Sequence, residues 1–109
     1  MTRILIIDDQ STSRHILEEL VSSLGRDIVT ESFADPLTAL AWVHTNQPDL
    51  VLTDYKMPSM NGVEFTRRLR ALYMDVPLVM VTSMEDREIR YQALEAGATD
   101  FLTKPVYHT

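Results

Sequence analysis

Four short apolar runs in this chain each end on a polar, chemically useful side chain. Ile4-Leu5-Ile6-Ile7 runs into Asp8-Asp9, and Leu50-Val51-Leu52 into Thr53-Asp54. Leu78-Val79-Met80-Val81 runs into Thr82, and Phe101-Leu102 into Thr103-Lys104-Pro105. Unbroken apolar runs of this length mark strands buried on both faces, and so a parallel sheet covered by helices. In an open parallel sheet, ligands bind beyond the carboxyl ends of the strands, where the strand order reverses. Three carboxylates, one hydroxyl and one ammonium would then share a single crevice. That set suits a divalent metal on the acids and a phosphoryl group held among metal, hydroxyl and amine.

Between the runs lie helix-like segments with clear punctuation. Ser11 or Thr12 can cap a first helix with Ile16, Leu17, Leu20, Val21 and Leu24 on one face, stopped by Gly25. Ile28 to Phe33 reads as a second, more polar strand at a sheet edge. Asp35-Pro36 is a cap followed by a proline in the first helical position, and Pro48 bars continuation of a helix that runs to about Asn46. Asn61 caps a third helix with Phe65, Leu69 and Leu72 inward. Pro77 opens the fourth strand, and a fourth helix spans about Glu85 to Ala96 before Gly97. The pattern is βα four times plus a last strand. It predicts an α/β fold, a doubly wound five-stranded parallel sheet in the flavodoxin-like order 2-1-3-4-5.

Residues 1–109 suffice for one domain and one core. The chain has no cysteine, which excludes disulfides, thiolate metal sites and cysteine catalysis. No apolar run approaches the ~20 residues that span a bilayer, and the start is no signal peptide, so a cytoplasmic protein without a membrane partner is expected. The net charge of −6 argues against direct nucleic-acid binding. Arg67, Arg68 and Arg70 read as a solvated helix face. His15, His44 and His108 share no metal-ligand spacing.

Read singly, the site residues are ambiguous. Asp8 and Asp9 are adjacent anions at the edge of a low-dielectric interior, and solvent or a cation must compensate them. One could equally cap the next helix while the other is solvated. Asp54 alone is an ordinary strand-end acid. In the 2-1-3-4-5 order, however, strands one and three are neighbours, so Asp54 faces the pair. A carboxylate beside a metal can be ligand and nucleophile toward phosphorus. Thr82 and Lys104 flank this crevice, the one a hydrogen-bond donor, the other a neutralising ammonium. A cis Lys104-Pro105 bond would turn the chain and aim the lysine inward, since X–Pro bonds admit that form at modest cost.

Taken in order, these pieces resemble the receiver domain of two-component response regulators, of the single-domain chemotaxis kind. The resemblance rests on Asp8-Asp9, on the Asp54-Tyr55-Lys56-Met57-Pro58 loop closed by Asn61-Gly62, and on Thr82-Ser83. It rests further on Ala96 to Leu102 and on Lys104-Pro105. It implies that Asp54 accepts a phosphoryl group from a sensor histidine kinase or phosphotransfer protein. It implies Mg²⁺, or Mn²⁺ in its stead, on Asp9, Asp54 and the backbone carbonyl of Lys56, with Asp8 acting through water. Thr82 and Lys104 would contact the phosphoryl oxygens. Phe101 falls at an aromatic switch position where tyrosine is common, so a switch step using a tyrosine hydroxyl is not available here. Ser59 stands where the loop often has glycine.

The implied function is a phospho-accepting signalling switch that controls an output domain or effector protein. It would be no enzyme beyond assisting its own phosphorylation and dephosphorylation. Two other readings compete with it. A Mg²⁺-dependent aspartyl-phosphate phosphohydrolase on a small substrate would typically carry an Asp-x-Asp pair after its first strand and a cap insertion; neither is present. A non-phosphorylated interaction module would not need all five site residues. The chain stops five residues after Lys104, where a fifth helix would cover the second sheet face. The expectation is the N-terminal receiver part of a longer regulator, or a homodimer through that face. Lys104-Pro105-Val106-Tyr107-His108 looks similar to the junction of receivers fused to HD-GYP-type cyclic-dinucleotide phosphodiesterases.

Overall fold

A computed structural model of the chain describes residues 1–83 and 86–104. Five strands and four helices alternate among the described residues. They are β1 (Thr2–Ile7), α1 (Ser11–Ser22), β2 (Ile28–Phe33), α2 (Pro36–Val43), β3 (Leu50–Thr53), α3 (Gly62–Leu72), β4 (Leu78–Thr82), α4 (Arg87–Ala96) and β5 (Asp100–Thr103). All pairings are parallel and the order is β2-β1-β3-β4-β5. The architecture read from the sequence is therefore the one observed. The apolar runs in β1, β3 and β4 are buried because helices pack on both faces.

Side-chain alternation splits the core into two halves. Leu5, Ile7, Val51, Leu78, Met80 and Phe101 point to the face covered by α2, α3 and α4, where Phe65, Leu69 and Ala93 meet them. Ile4, Ile6, Leu52 and Val81 point the other way, against Leu17 and Val21 of α1. On that second face the groove between α1 and β5 is lined by Leu20, Leu24, Leu52, Val81 and Leu102, with Leu24 75% exposed. The expectations of a missing or truncated fifth helix and of a cis Lys104-Pro105 bond concern residues from 105 onward, which lie outside the described residues.

Several boundaries differ from the sequence reading, each for a local reason. Neither Ser11 nor Thr12 caps α1: the N-cap is Gln10, whose side chain makes no capping bond, and the helix already includes Ser11. The acceptor at this turn is Asp8, whose Oδ1 takes the Gln10 N–H at 3.0 Å. Gly25 does not stop α1 either. The helix ends at Ser22, where Ser23 satisfies terminal carbonyls through its N–H to Glu19 and its hydroxyl to Leu20. Leu24, beyond that end, is exposed, and so is Ile16, which lies off the Leu17–Val21 face within the helix. Helix α2 stops at Val43 rather than near Asn46, and the Asn46 amide bonds the freed Trp42 carbonyl at 3.0 Å. Leu72 is exposed because α3 ends there and the chain turns into extended Tyr73. Asp86 caps α4, with its side chain on the Glu88 N–H, and Glu85 lies outside the described residues. The Asp35-Pro36 and Asn61 caps and the helix end at Gly97 stand as read, and Gly97 takes a left-handed backbone there.

Candidate functional site

The strand ends converge because the sheet hydrogen bonding runs past the strands themselves. The Asp8 N–H bonds the Phe33 carbonyl at 3.1 Å and the Asp54 N–H bonds the Ile7 carbonyl at 2.9 Å. At the far edge, the Lys104 N–H bonds the Thr82 carbonyl at 2.7 Å. Asp8, Asp54 and Lys104 are thus extensions of neighbouring strands, fixed by the ladder, and Asp9 follows Asp8 directly. Asp8, Asp9 and Asp54 each present a carboxylate oxygen, and these oxygens lie within 4.8 Å of one another. Asp9, Gln10, Asp54, Lys56, Met57, Pro58, Thr82 and Ser83 line one open cavity above them.

The three acids are not equivalent. Asp8 is 1% exposed and Asp54 8%, whereas Asp9 faces solvent. Asp8 is held on every side. Its Oδ1 accepts from the Gln10 N–H, and its Oδ2 accepts from the Ser13 hydroxyl at 2.6 Å and the Lys104 ammonium at 2.7 Å. Its main-chain carbonyl accepts from Arg14 Nη1 at 2.8 Å. Asp54 has a lighter set: Oδ1 takes the Tyr55 N–H at 2.6 Å and Oδ2 the Lys104 ammonium at 3.0 Å. Lys104 therefore bridges the two buried carboxylates. Burial works to lower its pKa, but the hydrogen bonds and charges of Asp8 and Asp54 outweigh it, and the net shift is upward.

The loop after Asp54 is folded back on the site. The Gly62 N–H bonds the Tyr55 carbonyl at 2.7 Å, and a Cβ on Gly62 would overlap the Asp54 carbonyl oxygen. No side chain fits there, which explains the glycine opening α3. Within the loop, Ser59 takes a left-handed φ of 75°, at a cost of about 1–2 kcal/mol for a residue with a Cβ. The position singled out as usually glycine is thus one that needs glycine-like backbone.

Thr82 is buried at the end of β4. Met80 pairs in register with Phe101, and Thr82 lies two residues beyond Met80, so Thr82 and Phe101 face the same side of the sheet, under α4. Phe101 is buried, with the Arg90 guanidinium 5.8 Å from its ring centroid. Asp8, Asp9, Asp54, Lys56, Thr82 and Lys104 are thus at this end of the sheet, and Phe101 lies further back within β5. Ser13 and Arg14 were not foreseen. Their signal was present, a hydroxyl and a guanidinium in the first turn after an acidic pair, but the contacts depend on how α1 leaves the sheet.

The arginines of α3 divide. Arg67 and Arg68 pair with Glu64 on the exposed face. Arg70 is no solvated charge; it bonds the Gly97 and Tyr73 carbonyls at 2.9 and 3.1 Å and ties α3 to the end of α4. His15 sits between Glu18 and Glu19 on the exposed face of α1, and His108 lies outside the described residues.

The donor set fits a hard divalent cation. Three carboxylates share one directly bonded ammonium, which leaves an excess of negative charge on the carboxylate oxygens. Two unit charges at 4.8 Å repel by about 3 kcal/mol at an effective dielectric of ~20, so the acids gain from a cation between them. Carboxylate and carbonyl oxygens with access to water are the ligands Mg²⁺ accepts. Thermal denaturation should register this directly. A hundredfold excess of Mg²⁺ over its Kd stabilises by about 2.7 kcal/mol, a rise in midpoint on the order of 10 °C for a domain of this size. The rise should largely vanish in Asp9→Ala; a full response in that variant would place the cation elsewhere.

Comparison with known proteins places this geometry in a family. The model for the response regulator receiver domain matches residues 4–109. The cyclic di-GMP phosphodiesterase response regulator RpfG of Xanthomonas campestris pv. campestris is 44% identical over 105 residues, which are 94% of this chain and 28% of that protein. A protein-glutamate methylesterase/protein-glutamine glutaminase of Thiobacillus denitrificans is 38% identical over 105 residues, 94% of this chain and 29% of that protein. The chain thus spans less than a third of the length of these relatives. Among solved structures, the chemotaxis protein CheY4 of Vibrio cholerae superimposes with a TM-score of 0.90 at 29% identity, covering 98% of this chain and 89% of that one. A putative response regulator from Chloroflexus aurantiacus gives 0.89 at 30% identity, over 97% of this chain and 87% of that one. No helix among the described residues is long and apolar enough to cross a membrane.

Proposed function

This chain belongs to the response regulator receiver domain family, and from that premise we propose that Asp54 is its phospho-acceptor. The supporting observation is the asymmetry of the acids. Three donors hold the Asp8 carboxylate, while Asp54 lines the open cavity and holds only two. A nucleophile needs a free lone pair and an approach path, and of the two buried acids Asp54 alone has both.

The reaction is a displacement at phosphorus. A carboxylate oxygen of Asp54 forms a bond to phosphorus as the bond from phosphorus to the donor breaks, and the electron pair leaves with the donor. For a histidine kinase or phosphotransfer protein, the leaving group is its imidazole. The charge on the transferring oxygens is what the site must balance. Lys104 is within reach through its flexible stem: its ammonium leaves Asp54 Oδ2 and follows the negative charge onto a phosphoryl oxygen. Thr82 donates its hydroxyl to another. Asp8 keeps the lysine on station, and the Tyr55 N–H fixes the Asp54 oxygen that does not react. Mg²⁺, or Mn²⁺, held by Asp9, Asp54 and the Lys56 carbonyl with Asp8 through water, would supply charge neutralisation and in-line orientation. Acetyl phosphate tests the reading without a kinase: with Mg²⁺ the intact mass should rise by one phosphoryl group, and an unaltered mass would count against it.

The switch runs through Thr82 and Phe101, which share a face beneath α4. Movement of the Thr82 hydroxyl toward phosphoryl oxygen vacates space that the Phe101 ring can fill, a shift between two packings driven by differential contacts. Thr82→Ala should therefore still take up phosphoryl but lose the amide chemical-shift changes around Phe101 and Arg90. Full propagation in that variant would refute the coupling.

The output is carried by the rest of a longer, cytoplasmic regulator, of which this chain is the N-terminal receiver. Among the relatives, the phosphodiesterase regulator has the greater identity, 44% against 38%. It therefore favours an output acting on a cyclic dinucleotide over a methylesterase. On this reading the domain itself is a signalling element and turns over only its own acyl phosphate.

A further inference from the structure

We infer that Ser13 is a positioning residue of the phospho-acceptor site: through its hydroxyl it sets the plane of the Asp8 carboxylate, and through Asp8 the place of the Lys104 ammonium. The inference rests on the phospho-acceptor reading and adds to it a residue outside the acids, the threonine and the lysine.

The contacts around Asp8 leave one freedom to restrain. Its main chain is fixed from two sides, by the N–H to Phe33 and by Arg14 on the carbonyl. What remains is rotation of the carboxylate, a terminal torsion with broad, shallow preferences. Oδ1 has one donor, the Gln10 N–H. Oδ2 has two, Ser13 Oγ at 2.6 Å and Lys104 Nζ at 2.7 Å.

The lysine cannot define that plane by itself. Its ammonium is shared with Asp54 and sits at the end of a flexible four-carbon stem. With only the lysine on Oδ2, Asp8 could turn away and the ammonium could settle on Asp54, the very oxygen that must be free to react. Ser13 is different in kind. Its side chain is short, it stands in the first turn of α1, and its reach to Asp8 is fixed by the helix. It is also neutral. A hydroxyl holds the carboxylate without adding positive charge, so the excess of negative charge on the carboxylates that suits a divalent cation is kept. A lysine or arginine at this place would orient Asp8 equally well and oppose the metal.

The test uses the whole chain and two matched pairs, Ser13→Ala against the wild type and Ser13→Val against Ser13→Thr. Valine and threonine have the same shape and differ in the hydroxyl, so the second pair keeps the comparison meaningful if the alanine variant folds poorly. Mg²⁺ affinity is read by amide chemical shifts without any phosphodonor, and phosphoryl uptake from acetyl phosphate by intact mass. Loss of the hydroxyl should weaken Mg²⁺ binding and slow uptake about fivefold each, the factor that one net hydrogen bond is worth. Threonine should stay within about twofold of serine on the same scale. Equal Mg²⁺ affinity in the valine and threonine variants would overturn the role of Ser13, whatever the uptake shows. If the wild type takes up no phosphoryl group, the phospho-acceptor reading falls by itself, and the Mg²⁺ comparison still judges Ser13.

Discussion

Asp54→Asn should abolish phosphoryl uptake while leaving the protein folded. The amide keeps the size and shape of the carboxylate, and its oxygen can still accept the Tyr55 N–H. What it lacks is an anionic oxygen able to form an acyl phosphate. Uptake from acetyl phosphate should therefore fall below detection, a loss of more than about 10³-fold by analogy with removal of a committed nucleophile. The other buried acid offers no bypass, because Asp8 is enclosed and its oxygens already accept three donors. Stability should change little. One anion is gone from a cluster of three, which relieves repulsion, but Lys104 loses one of its two partners. A thermal midpoint near the wild-type value would exclude unfolding as the cause. Intact mass and peptide mapping decide: unchanged labelling of the Asn variant would sink the assignment of Asp54.

The fold was legible because its signals are redundant. Each buried strand is a run of large apolar residues, and each reads the same way whichever helix covers it. Crossover handedness put helices on both faces of the sheet, whereas the order 2-1-3-4-5 was that of the flavodoxin-like class and not legible in any one residue. Site residues were legible for a related reason. They sit at strand ends, so locating the strands located Asp8, Asp54, Thr82 and Lys104. The helix ends were less so. Ser11, Thr12 and Gly25 have the right chemistry for caps, yet Asp8 and Ser23 make the bonds, because capping depends on which short side chain the local turn brings within reach. Arg70 shows the same limit. Its neighbours in sequence are solvated charges, but the turn at Gly97 presents a carbonyl that only the tertiary structure brings to it. Ser13 was hidden likewise, since a serine five residues after an aspartate has no meaning until the exit angle of α1 is known.

The position of Lys104 leads to the second large effect. Its ammonium is already seated between Asp8 and Asp54 and so does part of the work that a metal ion would do. Lys104→Met removes that charge and keeps much of the aliphatic stem. Without metal, the variant leaves two buried carboxylates facing each other with no cation. Losing hydrogen bonds to charged groups costs about 1.5–3 kcal/mol, a drop in midpoint on the order of 10 °C for a domain of this size. Mg²⁺ should then stabilise Lys104→Met more than it stabilises the wild type, the opposite of its effect on Asp9→Ala. The pH dependence follows from the direction of the lysine shift. Its pKa is raised in the folded chain, so its contribution is fully present at neutral pH and is lost only as pH rises through that raised value, above the ordinary lysine range. The stability gap between wild type and Lys104→Met, measured by urea denaturation without metal, should therefore hold constant through neutral and mildly alkaline pH and close only beyond it. Phosphoryl uptake should slow on the order of 10²-fold, as when one preorganised donor is removed from a developing anion. A Mg²⁺ response equal to that of the wild type would mean that the ammonium and the metal do not balance the same charge, and the role given to Lys104 would have to be abandoned.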